Sequence, residues 1–193
     1  MTAPVAPRPL RKDAARNREA IVAAAHTAIR EHGGGVDVRE IARRAGVGMG
    51  TLYRHFPAKE DLVTEVLHEQ FTSWATSARA TAAAAEDPWI ALTGFFYSAL
   101  AGCARQRPLM DSMAIGRSDE DTAELAAIMA ELLVRAQQAG LVRPGVTPGD
   151  LQLMLHALSA TVQITEKCRP GTWRRTAQIT LDGLRAVHQE SLS

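Results

Sequence analysis

Two cysteines in 193 residues, Cys103 and Cys168, do not make a disulfide framework. No closely spaced group of Cys and His offers metal ligands. Runs of Val, Ile, Thr and Tyr at strand spacing are nearly absent, so the expected fold class is all-α. No stretch approaches the ~18 consecutive apolar residues of a membrane span. The N-terminus, MTAPVAPRPLRKDAARNR, is broken by proline and lacks the apolar core of a signal peptide. A reducing cytoplasmic setting and no membrane partner are expected. There is no glycine-rich phosphate loop after a strand, and Gly33, Gly34 and Gly35 read as a turn. The serines lack the strand-turn-helix context of an activated nucleophile. His26, His32, His68, His156 and His188 are scattered, and read as surface or packed residues. No catalytic residue, metal or cofactor is expected, and the chain is not read as an enzyme.

The charge balance is nearly even, at +1, but it is unevenly placed. Residues 1 to 59 hold eleven Arg and Lys against five Asp and Glu, while the remainder holds eleven against sixteen. A basic first third on a mildly acidic body suits one face meeting a polyanion, or is a chance asymmetry of a solvated surface. Arg8, Arg11, Lys12, Arg16 and Arg18 form a basic run. It reads as a solvated arm, or as one that follows a phosphate backbone or reaches a minor groove.

The stretch 37–59, DVREIARRAGVGMGTLYRHFPAK, organises the rest. Asp37 with Glu40 predicts a capping box. Ile41, Ala42 and Ala45 mark the inner face of a short helix, Gly46 ends it, and Val47 is expected as a buried plug. A second short helix spans Gly48 to Phe56, with Leu52 and Phe56 turned inward. Pro57 stops it. This is the layout of a helix-turn-helix, whose second helix enters the DNA major groove. The expected DNA-binding residues are Arg39, Arg44, Gly48, Met49, Gly50, Thr51, Tyr53, Arg54, His55 and Lys59. Hydroxyls and basic groups among them suit phosphates. Met49 suits a thymine methyl, and Arg44 a base edge or phosphate. Gly48 and Gly50 let the backbone approach closely. Arg43 serves DNA or only solubility.

Helical periodicity covers most of the chain. A helix over 13–32 carries the stripe Ile21, Ala24, Ala25, Ala28 and Ile29. Further helices are predicted over 59–82, 88–105, 109–115, 119–139, 148–167 and 172–190. Residues 1–10 are too rich in Pro and Ala to order themselves. The domain plan is a basic arm over 1–12, a DNA-binding domain over 13–58, and a helical regulatory and dimerisation domain over 59–193, with the helix over 59–82 shared between head and body. Phe71, Trp74, Trp89, Phe95, Phe96, Tyr97, Met110 and Met113 form either plain core or, with His156, a mainly apolar ligand pocket. Leu151, Leu155, Leu158 and Val162, with Ala177, Leu181 and Leu184, make stripes on the last two helices. Broad apolar coverage there suits a core on one side and a second copy on the other.

The stretch AGVGMGTLYRHFPAKEDL closely resembles the DNA-binding head of the TetR family of bacterial transcriptional regulators. Ile41, Ala42, Ala45, Gly46, Val47, Gly50, Thr51, Leu52, Tyr53, His55, Phe56, Lys59, Glu60 and Leu62 carry the match, and RNREAIVAAAHTAIREHG fits the family's first helix. The resemblance covers residues 16 to 68. It implies an all-helical homodimer of nine or so helices, paired through its last two, that binds a double-stranded operator. Phosphate contacts would fall on Thr51, Tyr53, His55 and Lys59. Gly48 and Met49 depart from the polar residues usual in the family, which shifts base reading toward Arg44 or the arm. The implied function is sequence-specific repression at a palindromic operator, relieved when a small, mainly apolar effector enters the body. The alternatives are a regulator or activator without a small-molecule ligand, and a helical interaction module that has lost specific DNA binding.

Overall fold

A computed structural model of the chain describes residues 9–32, 35–110, 118–166 and 168–186, with side chains at all of these except 9–12 and 106–110. Its helices are α1 (Pro9–His32), α2 (Val38–Ala45), α3 (Met49–His55), α4 (Lys59–Ala84), α5 (Pro88–Met110), α6 (Asp119–Gln138), α7 (Pro148–Thr165) and α8 (Trp173–Asp182). Among the described residues there is no strand, only an isolated antiparallel bridge between Val142 and Arg185. The fold is all-α, a helix-turn-helix head followed by a helical body.

Three boundaries differ from the periodicity. α1 begins at Pro9, four residues early, because proline in a first turn forfeits no helical hydrogen bond. α5 continues through Arg105 and Pro108 to Met110. Pro108 falls in its last turn, so the helix ends within three residues of it. The remainder of the separate helix expected over 109–115 lies outside the described residues. α8 stops at Asp182 rather than near 190, since the chain turns at Gly183 and Leu184 to form the bridge.

The chain divides into two compact units, and the division falls inside α4, after Gln70. The head's core is Ile21, Val22, Ala25, Ala28 and Ile29 of α1, Ile41 and Ala42 of α2, Leu52 of α3, and Leu62, Val63 and Val66 of α4, closed by Val36 and Phe56. The apolar positions of α1 recur at helical spacing, so one stripe shares a core with α2, α3 and the first turns of α4. Arg18 of α1 pairs with Glu65 of α4 at 2.7 Å and lies over the Phe56 ring at 5.2 Å.

The second unit is built from Phe71–Arg107 and the described residues from Ser118 on. Its core includes Leu92, Phe96 and Leu100 of α5 and Ile128, Met129 and Leu133 of α6. α6 and α7 each have a side-chain cap at their start. Ser118 accepts from the Asp121 amide. Thr147 and Asp150 form a reciprocal capping box ahead of Pro148. Gln137 closes the α6–α7 loop by donating to the carbonyls of Arg143 and Val146.

The stripes expected to meet a second copy lie elsewhere. Leu151, Leu155, Leu158, Val162, Ala177, Leu181 and Leu184 are all buried in the core of a single chain. Filling that core takes their whole side chains, so they are not available to a partner. The opposite sides of α7 and α8 expose Leu153, Ile164 and Ile179, at 70 %, 73 % and 63 %, with Ala157 and Ala160 between the first two.

Candidate nucleic-acid interface

The head presents two short helices joined by a tight turn. The Asp37 carboxylate accepts from the Arg39 amide at 2.8 Å and caps α2. Gly46 ends α2 with φ 68° and ψ 27°, the left-handed backbone that glycine adopts freely. The Val47 amide then bonds back to the Ala42 carbonyl at 3.1 Å. Gly48 starts α3 as an extended cap without a side-chain bond. Leu52 and Phe56 are both buried, which fixes the rotation of α3 about its axis.

That rotation decides what faces outward. Tyr53 is 47 % exposed, and Arg54, Gly48 and Gly50 are exposed. Thr51 and His55 are half-buried. Met49 is half-buried against the head core, as is Val47, which was expected as a buried plug. A Cβ at Gly48 or Gly50 would meet nothing within 4 Å, so the head's own packing does not demand glycine at either. Arg39 is exposed, and no carboxylate among the described residues engages it or Arg54. Lys59 is half-buried at the start of α4, and its Nζ donates to the Val36 carbonyl at 2.7 Å.

Glu40 behaves differently from its expected role. It does not complete a capping box with Asp37. Its carboxylate accepts two bonds from Arg43, at 2.8 and 2.7 Å, and one from Arg44 Nε at 2.7 Å. Asp37 carries a like charge, whereas the arginines one turn on carry the opposite one and donate in a fork. These bonds hold the Glu40 carboxyl well below its ordinary range, down to about 2. Arg44 also donates from Nη1 to Glu31 of α1 at 2.7 Å. Sequence reading missed this chain of charges, because the i+3 and i+4 spacing was visible but the approach of α1 was not.

In the body, ring contacts join Phe71 to Trp74 at 5.6 Å, Trp74 to Phe95 at 5.4 Å, and Phe95 to Phe96 at 6.3 Å. Trp74 Nε1 donates to Ser98 Oγ at 2.7 Å. Tyr97 instead meets Trp173, and Trp89 lies under the Arg185 guanidinium at 4.5 Å. His156 is on the exposed side of α7. Met110 and Met113, expected beside the aromatic rings, have side chains outside the described residues. An open groove of about 600 Å³, lined by Tyr97, Gly171, Thr172, Arg174, Arg175 and Gln178, was not foreseen. Among the described residues no cluster of His, Cys, Asp or Glu is placed to hold a metal ion, and no helix is long and apolar enough to cross a membrane.

Residues 21–66 match the model for bacterial regulatory proteins of the tetR family. Residues 87–186, just over half the chain, match the model for the SbtR-like transcriptional regulator C-terminal domain. The chain is 41 % identical over 68 residues to the HTH-type transcriptional regulator SAB2452 of Staphylococcus aureus. That stretch is 35 % of this chain and 37 % of the relative, so the chain spans little more than a third of the curated relative it matches. A TetR transcription regulatory protein from Mycobacterium vanbaalenii is similar throughout. It is 36 % identical, with 92 % of this chain and 99 % of that one covered and a TM-score of 0.60. A TetR-family regulator from Pectobacterium atrosepticum, 19 % identical, shares the fold with a TM-score of 0.76 over 92 % of this chain and 98 % of its own. With its helix-turn-helix head and SbtR-like body, the chain belongs to the TetR family of bacterial transcriptional regulators.

Proposed function

We propose that the protein is a homodimeric repressor that binds a palindromic operator and leaves it when a small, mainly apolar ligand occupies the body. The observation that carries the DNA half is the outward face of α2 and α3. There Arg39, Tyr53 and Arg54 surround a buried anchor at Leu52 and two glycines with open space above them. Thr51, Tyr53, His55 and Lys59 supply phosphate contacts, which set register without reading sequence. Gly48, Met49, Gly50, Arg39 and Arg54 are the remaining DNA-facing set, while Arg44, expected among them, is held by Glu40 and Glu31.

The dimer reading rests on the exposed apolar residues of α7 and α8. Leu153, Ala157, Ala160 and Ile164 recur at helical spacing on the side away from the core, and Ile179 adds to them from α8. Two heads on a two-fold axis then require half-sites about 34–36 Å apart, or a multiple. The ligand reading rests on the Phe71, Trp74, Phe95 and Phe96 rings, with the Trp74–Ser98 bond as a polar group among them. Linkage sets the mechanism. A ligand releases DNA only if it favours a form that fits the operator less well, and DNA must then weaken the ligand by the same factor.

Selection of bound duplexes from a random pool by the purified protein, at two salt concentrations, tests this reading. A recovered palindrome with steeply salt-dependent binding is the expected result. Enrichment of a single half-site would remove the dimer. A panel of small aromatic and aliphatic compounds, none of which displaces the recovered palindrome, would remove the ligand step.

A further inference from the structure

We propose that Glu40 is a specificity-determining residue that keeps Arg43 and Arg44 of α2 from acting as free phosphate-binding cations. The inference rests on DNA binding by this head. It concerns which of the head's positive charges a polyanion meets.

Glu31, Glu40, Arg43 and Arg44 form one continuous chain of hydrogen-bonded charge, with every link at 2.7 or 2.8 Å. Its formal charge is zero. Arg43 gives Nε and one terminal nitrogen to a single carboxylate, in the paired geometry that fixes a guanidinium plane. Arg44 gives Nε to Glu40 and Nη1 to Glu31, and its side chain is 25 % exposed. Both arginines would have to break charge-assisted bonds to turn their forks fully to a phosphate. Arg39 and Arg54 meet no such carboxylate among the described residues.

Non-specific DNA binding comes mainly from neutralised phosphates and released counterions, at about 0.9 units of salt slope per contact. A guanidinium already neutralised by a neighbouring carboxylate adds little to that count. Specific binding also draws on side chains that face the bases, and those lie outside the clamp. Neutralising α2 therefore lowers the sequence-independent affinity more than the specific one, and so widens the ratio between them. Because the Glu40 carboxyl is held at about 2, this arrangement persists throughout the neutral pH range.

The test measures binding to a random-sequence duplex, and to the best duplex selected from a random pool, across a salt series. Glu40→Gln is expected to bind random duplex several-fold more tightly, with a salt slope steeper by about 1. The ratio of selected to random affinity falls several-fold. Glu31→Gln, which loosens Arg44 alone from a different helix, moves in the same direction by less. Glu19→Gln adds the same charge on the exposed side of α1, releases no clamped arginine, and leaves the slope unchanged. Melting curves confirm that each variant is folded. Weaker random-duplex binding by a folded Glu40→Gln variant, an unchanged slope, or an equal effect from Glu19→Gln would each overturn the proposal. Wild-type protein that binds neither duplex at low salt would overturn DNA binding by this head as well, an outcome distinct from failure of the clamp alone.

Discussion

Arg135 of α6 reaches the far end of α4 and donates from Nη1 to the Ala82 carbonyl at 2.9 Å, with Nη2 on the Ala85 carbonyl at 3.2 Å. A helix leaves its last carbonyls without partners, and a guanidinium supplies both bonds and a charge of the right sign. The alanine-rich end of α4 has little else to hold it, since Ala78 and Ala82 bury small side chains. Arg135→Met keeps most of the aliphatic stem and removes the donors. It is expected to cost about 1–2 kcal/mol in denaturant unfolding, with Arg135→Lys recovering part. A cost below about 0.3 kcal/mol would mean that water replaces the bonds without loss.

Gly46→Ala isolates backbone strain from crowding. No atom lies within 4 Å of the added Cβ, so the whole effect comes from a φ of 68°. The expected destabilisation is about 1–2 kcal/mol, measured by thermal or urea unfolding. Asparagine at the same position should cost less than alanine, because its side chain tolerates this region better.

Acid should weaken the Glu40 bonds over a defined range. The folded carboxyl sits at about 2 against an ordinary value of 4.5. Its stabilising contribution is therefore complete above about pH 4.5 and lost as pH falls through 2. Asp150 acts in the same sense, because the Thr147 amide and hydroxyl donate to its carboxylate and lower its pKa. Between these limits, wild-type Tm is expected to fall more steeply than that of Glu40→Gln. Parallel melting curves for the two proteins would show that Glu40 contributes no proton-linked stability.

The two sides of α7 should separate assembly from folding. Leu153→Glu and Ile164→Glu change exposed side chains, so the helical circular dichroism and Tm of the monomer should stay close to wild type. Sedimentation is expected to show loss of the dimer. Leu155→Ala, in the core, is expected to cost about 2–5 kcal/mol instead. A dimer that survives both surface substitutions would move the interface elsewhere.

Much of the head was legible because its signals are local. Asp37 caps α2 through its carboxylate and Gly46 through its left-handed backbone, as predicted, and Leu52 and Phe56 turn inward as their spacing requires. Glu40 misled because its spacing fits both a capping box and an ion pair. Arg43 and Arg44 decided the outcome, together with a helix thirteen residues before Arg44 in sequence. The faces of α7 were ambiguous for a different reason. Leu151, Leu155, Leu158 and Val162 make one stripe, and Leu153, Ala157, Ala160 and Ile164 make another. Periodicity finds both and cannot rank them, since the choice depends on α5, α6 and α8. α8 was drawn too long because nothing in RAVHQ marks the bridge to Val142.

That bridge orders the events of synthesis. The Arg143 amide bonds to the Leu184 carbonyl and the Ala186 amide to the Leu141 carbonyl, while Arg185 covers Trp89 at the start of α5. The body's hydrophobic core is complete only when Leu184 has been made, whereas the head's core closes with Val66. On the ribosome the nascent chain thus holds every buried apolar residue of the head's core while the body still shows apolar surface to chaperones and proteases. A premature stop anywhere before Leu184 would leave that surface uncovered, so truncated products should be cleared rather than persist as DNA-binding fragments that compete with the whole protein.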